Sequence, residues 1–352
     1  MLDRRNWRRM SYAALAAMAL VGAWVVLSPV RAAPPAETQP ADGTIKITIL
    51  HVNDTHGRLE PWDKDGRSVG GYARLSTLVG EIRSAGDAAR VFLVHAGDEI
   101  SKGDELTSKT AGKANLSLMN HLKFDLMTPG NGEFYDGLRA IETRIKEAGF
   151  PFLTANILVR SSGQRLARPF VIDKAQDVRV AFLGLCSLRT SLPSAWPFKV
   201  EDPIETAKKY VPQLRKEADI VVAVTHIGDD LDEQLAKTVP GIDLIIGGHT
   251  HTVLEKGRTV KGPDGRDVLI CQTGEFLEYL GRVDLTVKPI PPTPKPQDAK
   301  FRLASASARL IALDQKVKLD PEVTAMVARM SGATSQPATG RSTSAPSPVK
   351  VR

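Results

Sequence analysis

The sequence predicts an α/β fold, and three observations carry that reading. Short apolar runs of strand length alternate with longer stretches whose apolar residues recur at helical spacing. Several of those runs stop abruptly in Gly, Asp, Asn or His, which is how α/β sheets deliver polar groups at strand tips. The composition, 42% hydrophobic and 25% charged over 352 residues, is that of globular protein with room for one large or two ordinary domains.

The first strand reads from residue 47 to 52 and ends in Asn53-Asp54-Thr55-His56-Gly57. Asp54 and His56 are two apart, so on an extended chain both face one way. A carboxylate and an imidazole side by side suit a borderline ion such as Zn, Mn or Fe; they equally make a cap or a turn. A polar loop, 62–71, leads to Tyr72–Ala85, where Leu75, Leu78, Val79 and Ile82 mark a helix face. Residues 91–94 form the next strand and end in His95-Ala96-Gly97-Asp98. A helix over 114–122 and a strand over 125–128 follow, the strand ending in Pro129-Gly130-Asn131-Gly132-Glu133-Phe134. Leu138, Ile141, Ile145 and Ala148 mark another helix.

Residues 152–155, 170–173 and 178–183 read as strands, and 204–214 as a helix with a kink at Pro212. The run 220–225 is apolar throughout, a strand buried on both faces, and it ends in His226-Ile227-Gly228. A helix over 230–239 leads to the strand Leu244–Ile246 and then Gly247-Gly248-His249-Thr250-His251, the most specific signal in the chain. Its glycines allow close approach of backbone to a site. Strands over 268–271, 282–287 and 302–313, a proline-rich loop over 289–296, and a helix Pro321–Met330 complete the folded region.

The ends of the chain differ in composition. Arg4, Arg5, Arg8 and Arg9 precede the uncharged apolar stretch 11–27, and Val30-Arg31-Ala32 supplies small residues for a cleavage site. Residues 1–32 therefore read as a signal peptide, with an uncleaved anchor helix as the alternative because the run is near the lower limit of a membrane span. Arg4-Arg5-Asn6-Trp7 loosely matches a twin-arginine signal. Either route implies export to a periplasmic or extracellular site, with membrane association only if the segment is retained. These 32 residues hold five Arg and one Asp, so they carry +4 of the formal +7. What remains is too little to argue for a nucleic-acid partner. Residues 33–43 read as a linker, 44–330 as the folded domain, and the Ser/Thr/Pro/Gly-rich stretch 331–352 as a disordered tail. Cys186 and Cys271 are the only cysteines, so a cysteine-rich metal site is excluded. Export permits a disulfide between them, and their apolar surroundings equally suit two buried thiols.

The motifs run strand-DTH, strand-GD, strand-GN, strand-H, strand-GHTH, so five strand ends each carry a metal-type ligand. Together with GGYARL, TANI and QTGEF, this order closely resembles the calcineurin-like metallophosphoesterases and, within them, the N-terminal catalytic domain of the 5'-nucleotidase branch. The resemblance implies a four-layer α/β/β/α sandwich with two divalent ions (Mn, Zn, Fe or Co) that activate water for attack on a small phosphoester or nucleotide-like substrate. By motif position, Asp54, His56 and His251 resemble the ligands of one ion, and Asn131, His226 and His249 those of the other. Asp98 resembles the bridging carboxylate. Asn131 and His251 are also the expected catalytic contacts.

Two departures qualify the expected activity. Where the family has GNH followed by an acid, this chain has Gly130-Asn131-Gly132-Glu133. The histidine that contacts the phosphoryl oxygens and protonates the leaving group is thus replaced by Gly132. The position of its supporting Asp holds Tyr135, with Asp136 one further on. A general acid contributes about 10²–10⁴-fold, or roughly 3–5 kcal/mol. The chain is therefore expected to be a phosphomonoesterase or phosphodiesterase that favours activated esters or diesters, or one that recruits Glu133 or Tyr135 as acid. The alternative is a catalytically impaired metal-containing protein that binds a phosphorylated ligand or a protein partner. The second departure is at the C-terminus. The nucleotidase branch usually adds a domain that stacks the nucleobase, and folded sequence is expected to stop near Met330.

Overall fold

A computed structural model describes residues 42–101, 103–291 and 299–332. The expected signal segment 1–32, nearly all of the linker 33–43, nearly all of the tail 331–352 and most of the loop 289–296 lie outside the described residues. In chain order the strands of the two main sheets are β1 (Ile45–Val52), β2 (Arg90–His95), β3 (Leu126–Met127), β4 (Phe170–Ala175), β5 (Val178–Cys186), β6 (Ile220–His226), β7 (Leu244–Ile246), β8 (Arg258–Lys261), β9 (Asp267–Cys271), β10 (Tyr279–Pro289) and β11 (Phe301–Ala312). The helices that flank them are α1 (Tyr72–Ala85), α2 (Lys113–His121), α3 (Gly137–Glu147), α4 (Pro203–Glu217), α5 (Asp229–Thr238) and α6 (Pro321–Met330).

The first sheet is five-stranded, in the order β11-β10-β1-β2-β3, and the second is six-stranded, in the order β8-β9-β7-β6-β5-β4. Within them β1-β2-β3 run parallel, as do β5-β6-β7-β9. The side chains explain the stacking. Successive residues of a strand face opposite ways, and β1 and β6 are buried at nearly every position, so each buries both faces. Ile47, Ile49 and Phe92 meet Phe182, Val222, Val224 and Ile246 between the sheets. The Phe92 and Phe182 rings pack edge to face there at 5.1 Å. Leu50, Val52 and Leu93 face outward onto Tyr72 and Leu75 of α1, Leu118 of α2 and Val323 of α6. On the far side Leu183, Val221 and Ala223 lie under Ala207, Val211 and Leu214 of α4 and Leu235 of α5. The layers are therefore helix, sheet, sheet, helix: the four-layer sandwich.

Several elements differ from the sequence reading. The loop 62–71 contains a small hairpin, Trp62–Lys64 paired with Arg67–Val69. Residues 152–155 make only isolated bridges, and the local strand is Ile157–Val159, paired with Phe198–Val200. This segment crosses β5 closely at Gly184, where an added Cβ would lie 2.4 Å from the Leu153 carbonyl oxygen. α4 contains Pro212 and extends past the expected end at 214 to Glu217. Both cysteines are free and buried; burial raises the thiol of Cys186 and pushes that of Cys271 up to about 12.

Candidate active site

The carboxyl ends of the parallel strands of both sheets point to one edge, and five of them, β1, β2, β3, β6 and β7, carry the motifs. Asp54 follows β1, Asp98 follows β2, Asn131 follows β3, His226 is the last residue of β6, and His249 and His251 follow β7. Asp54, His56 and His251 bring ligand atoms within 4.8 Å of one another, and so do Asp54, Asp98 and His226. The Nε2 atoms of His56 and His251 are 3.1 Å apart. Asp54 Oδ1 lies 3.3 Å from His251 Nε2 and 3.9 Å from His226 Nε2. Asp54 is thus the residue common to these two groupings of ligand atoms. Asp98 Oδ1 is 3.5 Å from His226 Nε2 and accepts the Gly132 N–H at 2.6 Å. Of the two remaining expected ligands, the His249 ring packs edge to face on His226 at 5.2 Å, and Asn131 is buried beside the Gly132 turn.

Asp54 and His56 reach this centre by a different route from the expected one. An extended chain would turn both side chains to one face, but both residues are left-handed, with φ of 48° and 49°. Asp98, His249 and His251 are left-handed too, at 56°, 83° and 56°. A non-glycine residue in that region costs about 1–3 kcal/mol, so five such residues at one edge require strong compensation. Backbone bonds between the loops supply part of it: Asp54 N to Gly97 O and His56 N to Asp98 O, both 2.8 Å, and Phe276 N to Asp54 O, 2.8 Å.

Each inward-facing group is held from behind. Asp54 Oδ2 accepts from the Asn53 amide and the His249 backbone N–H, both at 2.8 Å. Asn53 in turn is fixed by Thr273 and the Gly274 carbonyl. The Nδ1 of His226 lies 2.7 Å from the Ala96 carbonyl, that of His251 2.8 Å from the Glu275 carboxylate, and that of His56 2.9 Å from Ser101 Oγ. A proton on each Nδ1 turns the Nε2 lone pair into the site. Asn53 and Glu275 sit inside the NDTHG and QTGEF motifs, where the sequence reading assigns them no role; Ser101 carries no sequence signal. Burial works to raise the Asp54 carboxyl, but His226, His251 and Asn53 hold it at about 2. Burial and the neighbouring His226 lower His249. For His226 burial acts downward, yet Asp98 and Asp54 raise it.

Three buried atoms, Asp54 Oδ1, Asn131 Oδ1 and His226 Nε2, have no hydrogen-bond partner. Orphaned buried polar atoms are costly, and these are the oxygen and imidazole donors that divalent ions take. The residues present therefore fit a metal centre.

The turn after Asn131 is a short 3₁₀ segment, Gly132–Phe134. Glu133 cannot serve as an acid: its two oxygens accept the backbone N–H groups of Asp98, Glu99, Ile100 and Gly130 at 2.7–2.9 Å. It ties the β2 loop to the β3 loop. Tyr135 OH accepts the Asn131 amide N–H at 2.6 Å, which aims Asn131 Oδ1 away from the phenol. Asp136 pairs with Arg144. His95 lies in a buried network with Glu99 and Thr55, and His121 is at the surface near Glu322, as structural and surface histidines do.

The sequence profile described as Calcineurin-like phosphoesterase matches residues 47–253, more than half of the chain. The chain belongs to the calcineurin-like phosphoesterase family. Members of this family use divalent metals. Human 5'-nucleotidase is 31% identical to this phosphoesterase over 314 residues, 81% of this chain and 52% of that protein. Protein UshA of Salmonella pullorum is 32% identical over 282 residues, 71% of this chain and 50% of that protein. The phosphoesterase thus spans about half the length of these curated relatives. The crystal structure of a 5'-nucleotidase precursor from Thermus thermophilus superposes with a TM-score of 0.72 at 25% identity, covering 82% of this chain and 58% of that one. Among the described residues no helix is long and apolar enough to cross a membrane.

Proposed function

We propose that this phosphoesterase is an exported, dinuclear-metal-dependent hydrolase of small phosphoesters whose catalytic domain spans residues 44–330. The orphaned Asp54 Oδ1, Asn131 Oδ1 and His226 Nε2 carry the reading. Asp54, His56 and His251 would hold one ion (Mn, Zn, Fe or Co), Asn131, His226 and His249 the other, and Asp98 both. Two such ions supply an acidified water as nucleophile and positive charge for the phosphoryl oxygens. The chain's own residues do the rest. Ala96, Glu275 and Ser101 orient the imidazoles, and Tyr135 orients Asn131. His251, with 29% of its side chain exposed, and Asn131 face incoming substrate. Neither residue of the Gly132-Glu133 pair can protonate a leaving group: Gly132 has no side chain and Glu133 is saturated by N–H donors. Substrates with good leaving groups, activated monoesters or diesters, therefore suit it best. The names of the relatives favour nucleotide-like members of that class. Export rests on segment 1–32, and membrane association on its retention.

Hydrolysis of p-nitrophenyl phosphate and bis(p-nitrophenyl) phosphate by the Mn- or Zn-loaded protein tests this, with His249→Ala as control. Turnover that disappears in the control supports the reading. Gly132 favours one other reading, a metal-containing protein that binds a phosphorylated ligand without turning it over. Two ions bound with no turnover on either ester would establish that instead.

A further inference from the structure

Gly132 is not explained by its backbone. It starts a 3₁₀ segment, and unlike Gly97 and Gly137 its φ lies outside the left-handed region that favours glycine. It is explained by space. A Cβ at position 132 would stand 2.3 Å from Ser101 Oγ and 2.5 Å from Ser101 Cβ, with Asp98 Oδ1 next at 3.0 Å. The second distance matters more, because a Cβ cannot swing aside as a side-chain tip can. Any residue larger than glycine at 132 must therefore push the Ser101 backbone or its hydroxyl out of place.

That hydroxyl has a task. Ser101 is buried, 6% exposed, and its Oγ lies 2.9 Å from His56 Nδ1. His56 Nε2 points at the centre, 3.1 Å from His251 Nε2 and 3.9 Å from Asp54 Oδ1. Behind the Nδ1 atoms of His226 and His251 stand a carbonyl and a carboxylate; behind that of His56 stands this hydroxyl. We propose that Ser101 is the positioning residue for His56 as a metal ligand, and that its hydroxyl occupies the space that a side chain at position 132 would need. The bond to His56 and a side chain at 132 exclude each other. Ser101 and a histidine at 132, which the family resemblance would place there, therefore compete for the same space: this chain has no proton donor at 132 and has a hydroxyl behind His56.

This inference rests on the metal-centre reading, so the test reads metal binding and not turnover. Zn²⁺ is titrated calorimetrically into the metal-free full chain, and the Tm of each metal-free variant is measured alongside. Wild type should bind two ions. Ser101→Ala should weaken one of them about 10–100-fold, the usual effect of removing a partner behind a ligating imidazole, with the other ion and the metal-free Tm unchanged. Gly132→Ala should weaken the same ion, because the added methyl displaces the hydroxyl, and should also lower the metal-free Tm. The pair Ser101→Gly with Gly132→Ala should recover that Tm, since the methyl now fits, while the ion stays weak. The two losses would then not add, as expected for changes acting through one bond. Unchanged affinities in Ser101→Ala overturn the inference and leave the metal centre standing. Equal weakening of both ions with a fall in metal-free Tm overturns it as well, in favour of a packing role. No ion bound by wild type overturns the metal-centre reading itself and this inference with it.

Discussion

On the second-sheet side of the site, three histidines from the ends of β6 and β7 stand on glycine-rich loops with the family pattern, and each group behind them is an ordinary carbonyl, carboxylate or ring. On the first-sheet side, the loops after β2 and β3 pack around Gly132: Ser101 fills its space, Glu133 clasps four N–H groups across the two loops, and Tyr135 takes the Asn131 amide. The difference separates two tasks that the family combines in one pocket. Donor atoms for metal can be kept whole although position 132 beside them carries no proton donor: Asn131 shares that loop, and Tyr135 holds its amide.

The sharpest way to break that comparison is to remove the group both ions would share. Asp98→Ala should give the largest loss of all, turnover of any ester and retention of both ions together, measured by rate and by metal content per chain. If one ion and partial turnover survive, Asp98 does not join the two ions. Next in size is restoration of the missing acid. Gly132→His alone should misfold locally against Ser101, whereas Gly132→His with Ser101→Gly should accommodate the ring. That pair should raise hydrolysis of alkyl phosphates by up to about 10²–10⁴-fold and move aryl phosphates little, in parallel rate assays. Unchanged alkyl rates in a well-folded pair would mean that protonation of the leaving group is not what limits the enzyme.

Glu133→Gln probes the first-sheet side without touching the donor atoms. Bonds to a charged acceptor contribute about 1.5–3 kcal/mol each, and the amide keeps one oxygen, so stability should fall by about 3 kcal/mol in denaturant unfolding of the metal-free chain. On the second-sheet side the expected effect is one of pH dependence. Burial pushes the Asp232 carboxyl, behind the GGHTH loop, up to about 8. The folded chain keeps that proton where the unfolded chain, with an Asp near 3.9, has released it, so stability drops as pH rises from about 4 to 8. Asp232→Asn should therefore raise the metal-free Tm more at pH 8 than at pH 5, read by scanning calorimetry at both.

Much of the frame is legible in the sequence for simple reasons. Runs such as 220–225 and 47–52 are buried on both faces and read as strands from composition alone, and α1 shows its apolar face so plainly that its limits, Tyr72–Ala85, agree with the structure. The site motifs are legible because polar groups at strand ends follow from the parallel topology. What stays hidden is what depends on contacts between distant loops. The left-handed backbone at Asp54 and His56 answers to bonds from Gly97 and Asp98. The role of Ser101 depends on its meeting both His56 and Gly132, 45 residues away along the chain in one direction and across the β3 turn in the other. Glu133 reads as a candidate acid by proximity in sequence, and only the loop it clasps shows why it is an acceptor.

The central claim, a metal centre kept without its acid, is tested most directly by how the rate depends on the leaving group. With the protein loaded with Mn or Zn, kcat/KM is measured for a series of aryl and alkyl phosphates of rising leaving-group pKa. The account predicts a steep fall along the series for the wild type, and a shallower one once Gly132→His and Ser101→Gly restore a proton donor. A flat dependence in the wild type would contradict it, because some group would then be protonating the leaving oxygen after all.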